Sequence, residues 1–278
     1  MVAVETPRRI EGEGTSEPTW QRWLAATPCS ELSMAQALAP SQRLVVVAPH
    51  PDDEVLACGA LVAMHAARGG EVVFVAVTDG EASHAGLSPP GRCELAAQRR
   101  AERLRGLARL GIAKPQVHTL ALPDGDVQAQ GGLLRGWLLF FLRPGDVVVS
   151  TWEGDGHPDH DSTGRVTQGA CLRVGSRFLA APVWMWHWAA PADARVPWHR
   201  LRRLALSTDA CARKQAALAA HVTQLTPRSA SVGAVLGPHL LARGLGLPTL
   251  CEVREADFVL HVWSSDPRSV AEREGFDW

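Results

Sequence analysis

The chain has 278 residues, 46% of them hydrophobic, and a formal net charge of -1. That length supports one large core, since single domains run to about 250 residues. The basic residues are almost all Arg, with only Lys114 and Lys214 as lysines, and the near-neutral balance excludes the one-sided basic field of a nucleic-acid binder.

The N-terminus lacks the apolar segment of a signal peptide, and no stretch reaches the roughly 18 uninterrupted apolar residues of a membrane span. A cytoplasmic protein with no stable membrane insertion is expected. Its six widely spaced cysteines form no C-x-x-C pair and read as reduced thiols.

Residues 1–17 are polar and are expected to be a disordered extension, with 18–278 forming one domain. From there strands and helices alternate: strand 44–48, helix 55–68, strand 71–77, helix 92–110, strand 117–120, helix 131–142, strand 146–150, helix 161–174. Repeated units of this kind predict an α/β fold, a Rossmann-like three-layer sandwich with a mostly parallel sheet. Arg99, Arg100, Arg103, Arg105 and Arg109 have helical spacing among Ala and Leu and read as a solvated helix face. Beyond residue 180 the rhythm loosens. Trp184, Trp186 and Trp188 alternate as on a strand, and a strand at 203–207, a helix at 209–221 and a last strand at 257–263 are expected to wall the site. The Trp stripe reads more readily as core packing or a subunit contact than as a sugar platform, and His221 as a core histidine. Homo-oligomerisation stays open.

Two polar runs stand at strand ends: Ala48-Pro49-His50-Pro51-Asp52-Asp53-Glu54 and Gly156-His157-Pro158-Asp159-His160. Ligands of α/β proteins bind at the carboxyl ends of the strands. A catalytic zinc takes three ligands from His and carboxylate and leaves a position for water. His50, Asp53 and His160 supply that set. Asp52, beside a ligand without being one, is placed to act as general base, and His157 to stabilise an oxyanion or protonate a leaving amine as a charged imidazole. Trp152, close before His157, is a candidate for lining the pocket. Asp-Asp-Glu alone would suit an ordinary helix N-terminus, and H-x-x-H alone is weak among 11 histidines. Their conjunction at two strand ends carries the inference.

These motifs, with Thr78-Asp79-Gly80-Glu81, Leu122-Pro123-Asp124-Gly125 and the segment Lys214 to His221, resemble the LmbE-like, or PIG-L, family of zinc-dependent N-deacetylases over about residues 43–225. The resemblance implies a Rossmann-like domain that hydrolyses an N-acyl group from N-acetylglucosamine or a conjugate, a small-molecule amino-sugar substrate. It implies one Zn2+ per chain, with Fe2+ as an alternative, on His50, Asp53 and His160, with Asp52 as base and His157 as electrostatic partner. It assigns Arg92 and Asp124 to sugar contacts. Many members carry an aromatic residue, often Tyr, two residues before the first His of H-P-D-H. Here that position is Asp155, in a chain with no Tyr, and Asp155 is expected at the substrate. Competing readings are a deacylase of another acylated natural product, a silent metal- or sugar-binding module, a two-metal phosphoesterase and, weakest, a nucleotide binder.

Overall fold

The β-branched runs within 44–48, 72–76 and 147–151 leave no polar face, so each strand must be covered on both sides. The computed structural model describes Arg8, Ile10, residues 12–237, Leu241 and Cys251–Val253, the last as backbone. Among these the elements follow in the order α1 (Glu17–Ala26), β1 (Ser30–Leu32), α2 (Met34–Ala37), β2 (Leu44–Ala48), α3 (Asp53–Leu56), α4 (Gly59–Ala67), β3 (Val72–Ala76), α5 (Pro89–Arg109), β4 (Gln116–Thr119), α6 (Gly131–Phe141), β5 (Val147–Thr151), α7 (Pro158–Val174), β6 (Arg177–Ala181), α8 (Met185–Trp188), β7 (Arg202–Leu204), α9 (Thr208–Leu218), α10 (Val222–Leu225) and β8 (Cys251–Val253).

The main sheet has the strand order β4-β3-β2-β5-β6-β8, parallel throughout except for β8, which runs antiparallel to β6. β1 and β7 form a separate parallel pair. From β2 the chain moves out to β3 and β4 on one side, then returns to β5 on the other. The strand order therefore reverses between β2 and β5, where open α/β sheets form their crevice.

Side chains fix this junction from both ends. Buried Arg43 donates from Nε to Asp146 Oδ1 at 3.0 Å and from Nη2 to Oδ2 at 2.6 Å, tying together the residues that lead into β2 and β5. At the carboxyl end Ser150 Oγ donates to the Val47 carbonyl at 2.9 Å. α7 lies so close to the end of β5 that a Cβ at Gly164 would run into the Thr151 carbonyl. That approach brings the first turn of α7 over the carboxyl edge.

Several expectations change. The helix expected over 55–68 is broken at Cys58, and buried Lys214 on α9 donates to the Leu56 carbonyl at 2.8 Å, satisfying a backbone acceptor at the break. β6 had no counterpart in the sequence reading, although Gly175-Ser176 and Pro182 bracket the short run Arg177–Ala181. The expected strand at 257–263 lies outside the described residues. Contacts begin before residue 18: Thr15 donates from its backbone N to the His187 carbonyl at 2.9 Å and from Oγ1 to the Ala189 carbonyl at 2.6 Å. The arginines of α5 are not a uniformly solvated face, since Arg99 and Arg103 are buried. Arg103 approaches Glu54 and Asp79, with Nε 3.5 Å from Glu54 Oε1 and Nη1 3.9 Å from Asp79 Oδ1.

The Trp stripe is not a strand. Trp184 precedes the short helix α8, and helical spacing sends the three indoles in different directions. Trp186 joins Trp20, Trp23 and Trp198 in a cluster that seats α1, with Trp20 Nε1 donating to the Trp186 carbonyl at 2.8 Å. The core reading holds for Trp186, while Trp184 turns to the carboxyl edge.

His221 is fully buried beneath α5, where a Cβ at Gly106 would come within 2.9 Å of its Nε2, and among the described residues that nitrogen has no hydrogen-bond partner. Burial, reinforced by Arg103, Arg99 and Arg105, pushes the imidazole down to about 3. The unfolded chain, with a histidine value near 6.5, takes up a proton that the folded chain refuses, so stability is lost as pH falls from about 6.5 toward about 3. Thermal unfolding against pH should therefore show a steeper acid slope in the wild type than in His221→Asn, by at most about 1.4 kcal/mol per pH unit. Equal slopes would refute burial of a neutral imidazole.

Candidate active site

The turn after β2 is built to present carboxylates. Thr78 holds the Pro49 carbonyl through its backbone N at 2.9 Å and its Oγ1 at 2.8 Å, and the Gln224 amide donates to the Pro51 carbonyl. Asp52 takes a φ of +137°, a conformation that non-glycine residues rarely adopt and that costs of order 1–3 kcal/mol. Its backbone N donates to Glu54 Oε2 at 3.3 Å, and Glu54 is in turn approached by Arg103. Such strain is found at functional sites.

Three atoms from the two motifs converge. His50 Nδ1 lies 3.2 Å from His160 Nε2, His50 Nδ1 is 3.3 Å from Asp53 Oδ2, and His160 Nε2 is 3.2 Å from the same Oδ2. Tetrahedral ligands at about 2.0–2.1 Å from a zinc ion stand about 3.3–3.4 Å apart, so the triangle has the dimensions of one face of such a tetrahedron.

The outer atoms of both imidazoles make the same point. His160 Nδ1 lies 2.8 Å from Asp155 Oδ2, and His50 Nε2 lies 3.2 Å from Asp159 Oδ2 and 3.3 Å from Asp124 Oδ1. A carboxylate accepts and does not donate, so with a cation held among the inner atoms each ring would keep its proton on that outer nitrogen and turn a lone pair toward the cation. Three lone pairs facing one another repel unless a cation or a proton lies among them. Although burial opposes it, Asp124, Asp159 and Asp53 raise the His50 value well above normal, and Asp53 with Asp155 raises His160 to about 9. Although burial acts the other way, His160 and His50 hold the Asp53 carboxyl well below its ordinary value. The environment favours positive charge at that point.

The remaining groups surround a cavity of about 230 Å³ above the triangle. Asp52 lines it, 4% exposed, and among the described residues nothing donates to its carboxylate. Burial and the charge of Asp53 push its carboxyl well above the ordinary range, which makes it a stronger proton acceptor. His157 forms the N-cap of α7, its Nδ1 accepting from the Asp159 backbone N at 3.2 Å, so its proton sits on Nε2. Burial and the neighbouring His160 and His50 push it down to about 3. That direction favours a neutral ring at His157, where the sequence reading expected a charged one. Asp124 lines the cavity where expected, its Oδ2 accepting from the Ala82 backbone N at 2.8 Å while its Oδ1 faces His50.

Three expected substrate residues lie elsewhere. Arg92 is exposed on the first turn of α5, and the arginine lining the cavity is Arg99, two helical turns later. Arg99 is 1% exposed and donates from Nη1 to the Gly80 carbonyl at 2.7 Å, leaving Nε and Nη2 without partners among the described residues. Trp152 is buried beside a different cavity, lined also by Arg8, Arg165 and Arg195. Asp155 lies behind His160 with both oxygens occupied and 0% exposure, so it cannot meet a substrate. Sequence reasoning missed Arg99, Asp159, Gln224 and the wall formed by Leu56, Val183, Trp184, Val235 and Leu236. Arg99 was legible: it falls on the stripe of Leu95, Ala96, Arg103 and Leu107 that α5 buries.

Two imidazoles and a carboxylate converge below a cavity with a further carboxylate and imidazole beside them, a donor set that could hold a metal ion. Two-metal hydrolases hold ions about 3.5–4 Å apart. Among the described residues two further groupings share His50 with the triangle: His50 with His157 and His160, and His50 with Asp124 and Asp159, whose carboxylates face its outer nitrogen.

Residues 45–171 match the family model described as PIG-L: GlcNAc-PI de-N-acetylase. A 1D-myo-inositol 2-acetamido-2-deoxy-alpha-D-glucopyranoside deacetylase of Mycobacterium sp. (strain KMS) is 30% identical over 230 residues, covering 66% of this chain and 74% of that protein. The enzyme of the same name from Tsukamurella paurometabola is 29% identical over 252 residues, covering 66% and 84%. The chain belongs to the PIG-L family. A deacetylase of the teicoplanin biosynthesis pathway, solved as its bog complex, shares the fold, with a TM-score of 0.51 and 17% identity over 66% of this chain and 85% of that one.

Purified protein loaded with zinc and dialysed should retain one ion per chain, Asp52→Asn should retain it equally, and His160→Ala should lose it. Metal analysis giving two ions per wild-type chain, or one in His160→Ala, would overturn the three-atom site.

Proposed function

We propose that the chain is a zinc-dependent amidohydrolase that removes the N-acetyl group from an amino sugar, an N-acetylglucosamine conjugate in particular. The observation that carries this reading is the set of unengaged groups in one cavity: the strained Asp52 carboxylate, the Nε2–H of His157 and the orphaned Nε and Nη2 of Arg99, all beside the converging His50, Asp53 and His160. The names of the relatives supply the substrate class. A divalent cation held by His50, Asp53 and His160 would polarise an amide carbonyl and lower the pKa of a water to about 7.

The other steps belong to the side chains. Asp52, raised by burial and by Asp53, takes the proton of the attacking water and returns it to the departing amine. Neutral His157 donates its Nε2–H to the oxygen on which negative charge develops. Arg99 presents two donors to sugar hydroxyls, and buried donors of this kind penalise any ligand that leaves them unpaired. Asp124 accepts from a hydroxyl while its other contacts hold the turn. The apolar wall around Trp184 excludes water from the acyl side.

The same reading treats residues 18–278 as one domain, supported among the described residues by a contiguous cluster of buried apolar side chains. It places the protein in the cytoplasm, supported by the free thiols of Cys29, Cys58, Cys93, Cys171 and Cys211. No helix among the described residues is long and apolar enough to cross a membrane.

Acetate and free amine should be released in equal amounts from N-acetylglucosaminyl-inositol or related N-acetylglucosamine glycosides. Asp52→Asn should lower kcat by about 10²–10⁴ with zinc still bound, and retained turnover would eliminate Asp52 as the base. Arg99→Ala should raise KM by at least tenfold while Arg92→Ala stays within about twofold of wild type; the reverse ranking would return the sugar contact to Arg92.

A further inference from the structure

The Asp155 side chain makes four polar contacts and does not line the cavity. Its Oδ1 accepts from the backbone N of Val183 at 2.8 Å and of Met185 at 2.9 Å. Its Oδ2 accepts from the backbone N of Trp184 at 3.0 Å and faces His160 Nδ1 at 2.8 Å. The residue's own carbonyl accepts from Trp188 Nε1 at 2.6 Å. One fully buried carboxylate thus joins a ligand atom's ring to three consecutive amides of the turn leading into α8. That turn carries Val183 and Trp184 into the cavity wall, with the Trp184 ring 23° from parallel to His157 at a centroid distance of 6.4 Å.

We infer that Asp155 is a positioning residue that couples cation binding at His160 to the order of the Val183–Met185 wall. The inference rests on the cation site of the proposed function, and it holds whatever acyl substrate the enzyme takes. The His160 ring, were its Nε2 to hold a cation, would lose charge to it and bind Asp155 more strongly through Nδ1–H. The carboxylate in turn makes Nε2 a better donor to the cation. The negative charge on Asp155 is also shared with three amides, and each partner limits the freedom of the others to move. Linkage then requires reciprocity: whatever the cation adds to the order of the wall, an ordered wall adds to the affinity for the cation. In Asp155→Asn the Oδ1 contacts can persist, while the amide NH2 faces two donors, His160 Nδ1–H and the Trp184 N–H, so the ring loses the partner that sets its tautomer.

The test uses full-length protein and zinc alone. Zinc affinity is measured by competition with a chromophoric chelator, and amide hydrogen exchange of the peptide spanning residues 183–188 is followed with and without zinc. Wild type should bind zinc and show slower exchange in that peptide when loaded. Asp155→Asn, with its fold checked by circular dichroism, should bind zinc about 10–100-fold more weakly and lose the zinc-dependent protection. Equal affinity in the variant, or a wild-type wall whose exchange ignores zinc, would overturn the coupling. The second measurement decides the matter even if the variant does not fold. A wild type that binds no zinc would instead overturn the cation site itself.

Discussion

Two ring nitrogens and a carboxylate oxygen held within 3.3 Å of one another are the constraint around which the rest of the site is arranged. Such an arrangement is unfavourable without positive charge at its centre, and the protein sustains it by fixing every atom from behind. Asp155 holds one ring and Asp159 with Asp124 the other, while the Asp53 carboxylate accepts from the His50 backbone N at 3.0 Å. Asp159 also accepts from the backbone N of Gly125 at 2.8 Å and of Val127 at 3.2 Å. The loops that wall the cavity are thereby tied to the residues that converge beneath it.

The sheet makes that convergence cheap to maintain. β2 and β5 are adjacent although about a hundred residues separate them in sequence, and their register is locked at one end by Arg43 with Asp146 and at the other by Ser150. His50 leaves one strand and His160 enters from the helix after the other, so little loop must be ordered to bring them together. Buried parallel strands cannot slip by one residue without turning apolar side chains out of the core. The placement of the site is therefore inherited from the packing of the sheet.

The converging residues were readable because each motif is local: His50 and Asp53 stand three apart, as do His157 and His160, each behind a strand-like run. The sheet was readable for the same reason, since the runs around Val46, Phe74 and Val148 have no polar face. What stayed hidden depends on long-range contacts. Asp155 and Asp159 look alike in sequence to any carboxylate in a loop, and their roles appear only once Val183 and Gly125 are brought beside them. Arg92 and Arg99 lie on one helix, and choosing between them required weighing the buried stripe of α5 against a motif likeness. The three alternating tryptophans were assigned a strand's period where Met185–Trp188 has a helix's, an ambiguity that so short a segment cannot resolve by itself.

The backbone of Asp52 carries a cost that no contact in the core requires. At φ +137° a glycine would sit more comfortably, yet a glycine has no carboxylate to offer. The position is thus one where foldability and the proposed chemistry ask for different residues. Sequences selected only to make this fold firmer would drift away from aspartate there, and the site would be lost before the scaffold showed any sign of it.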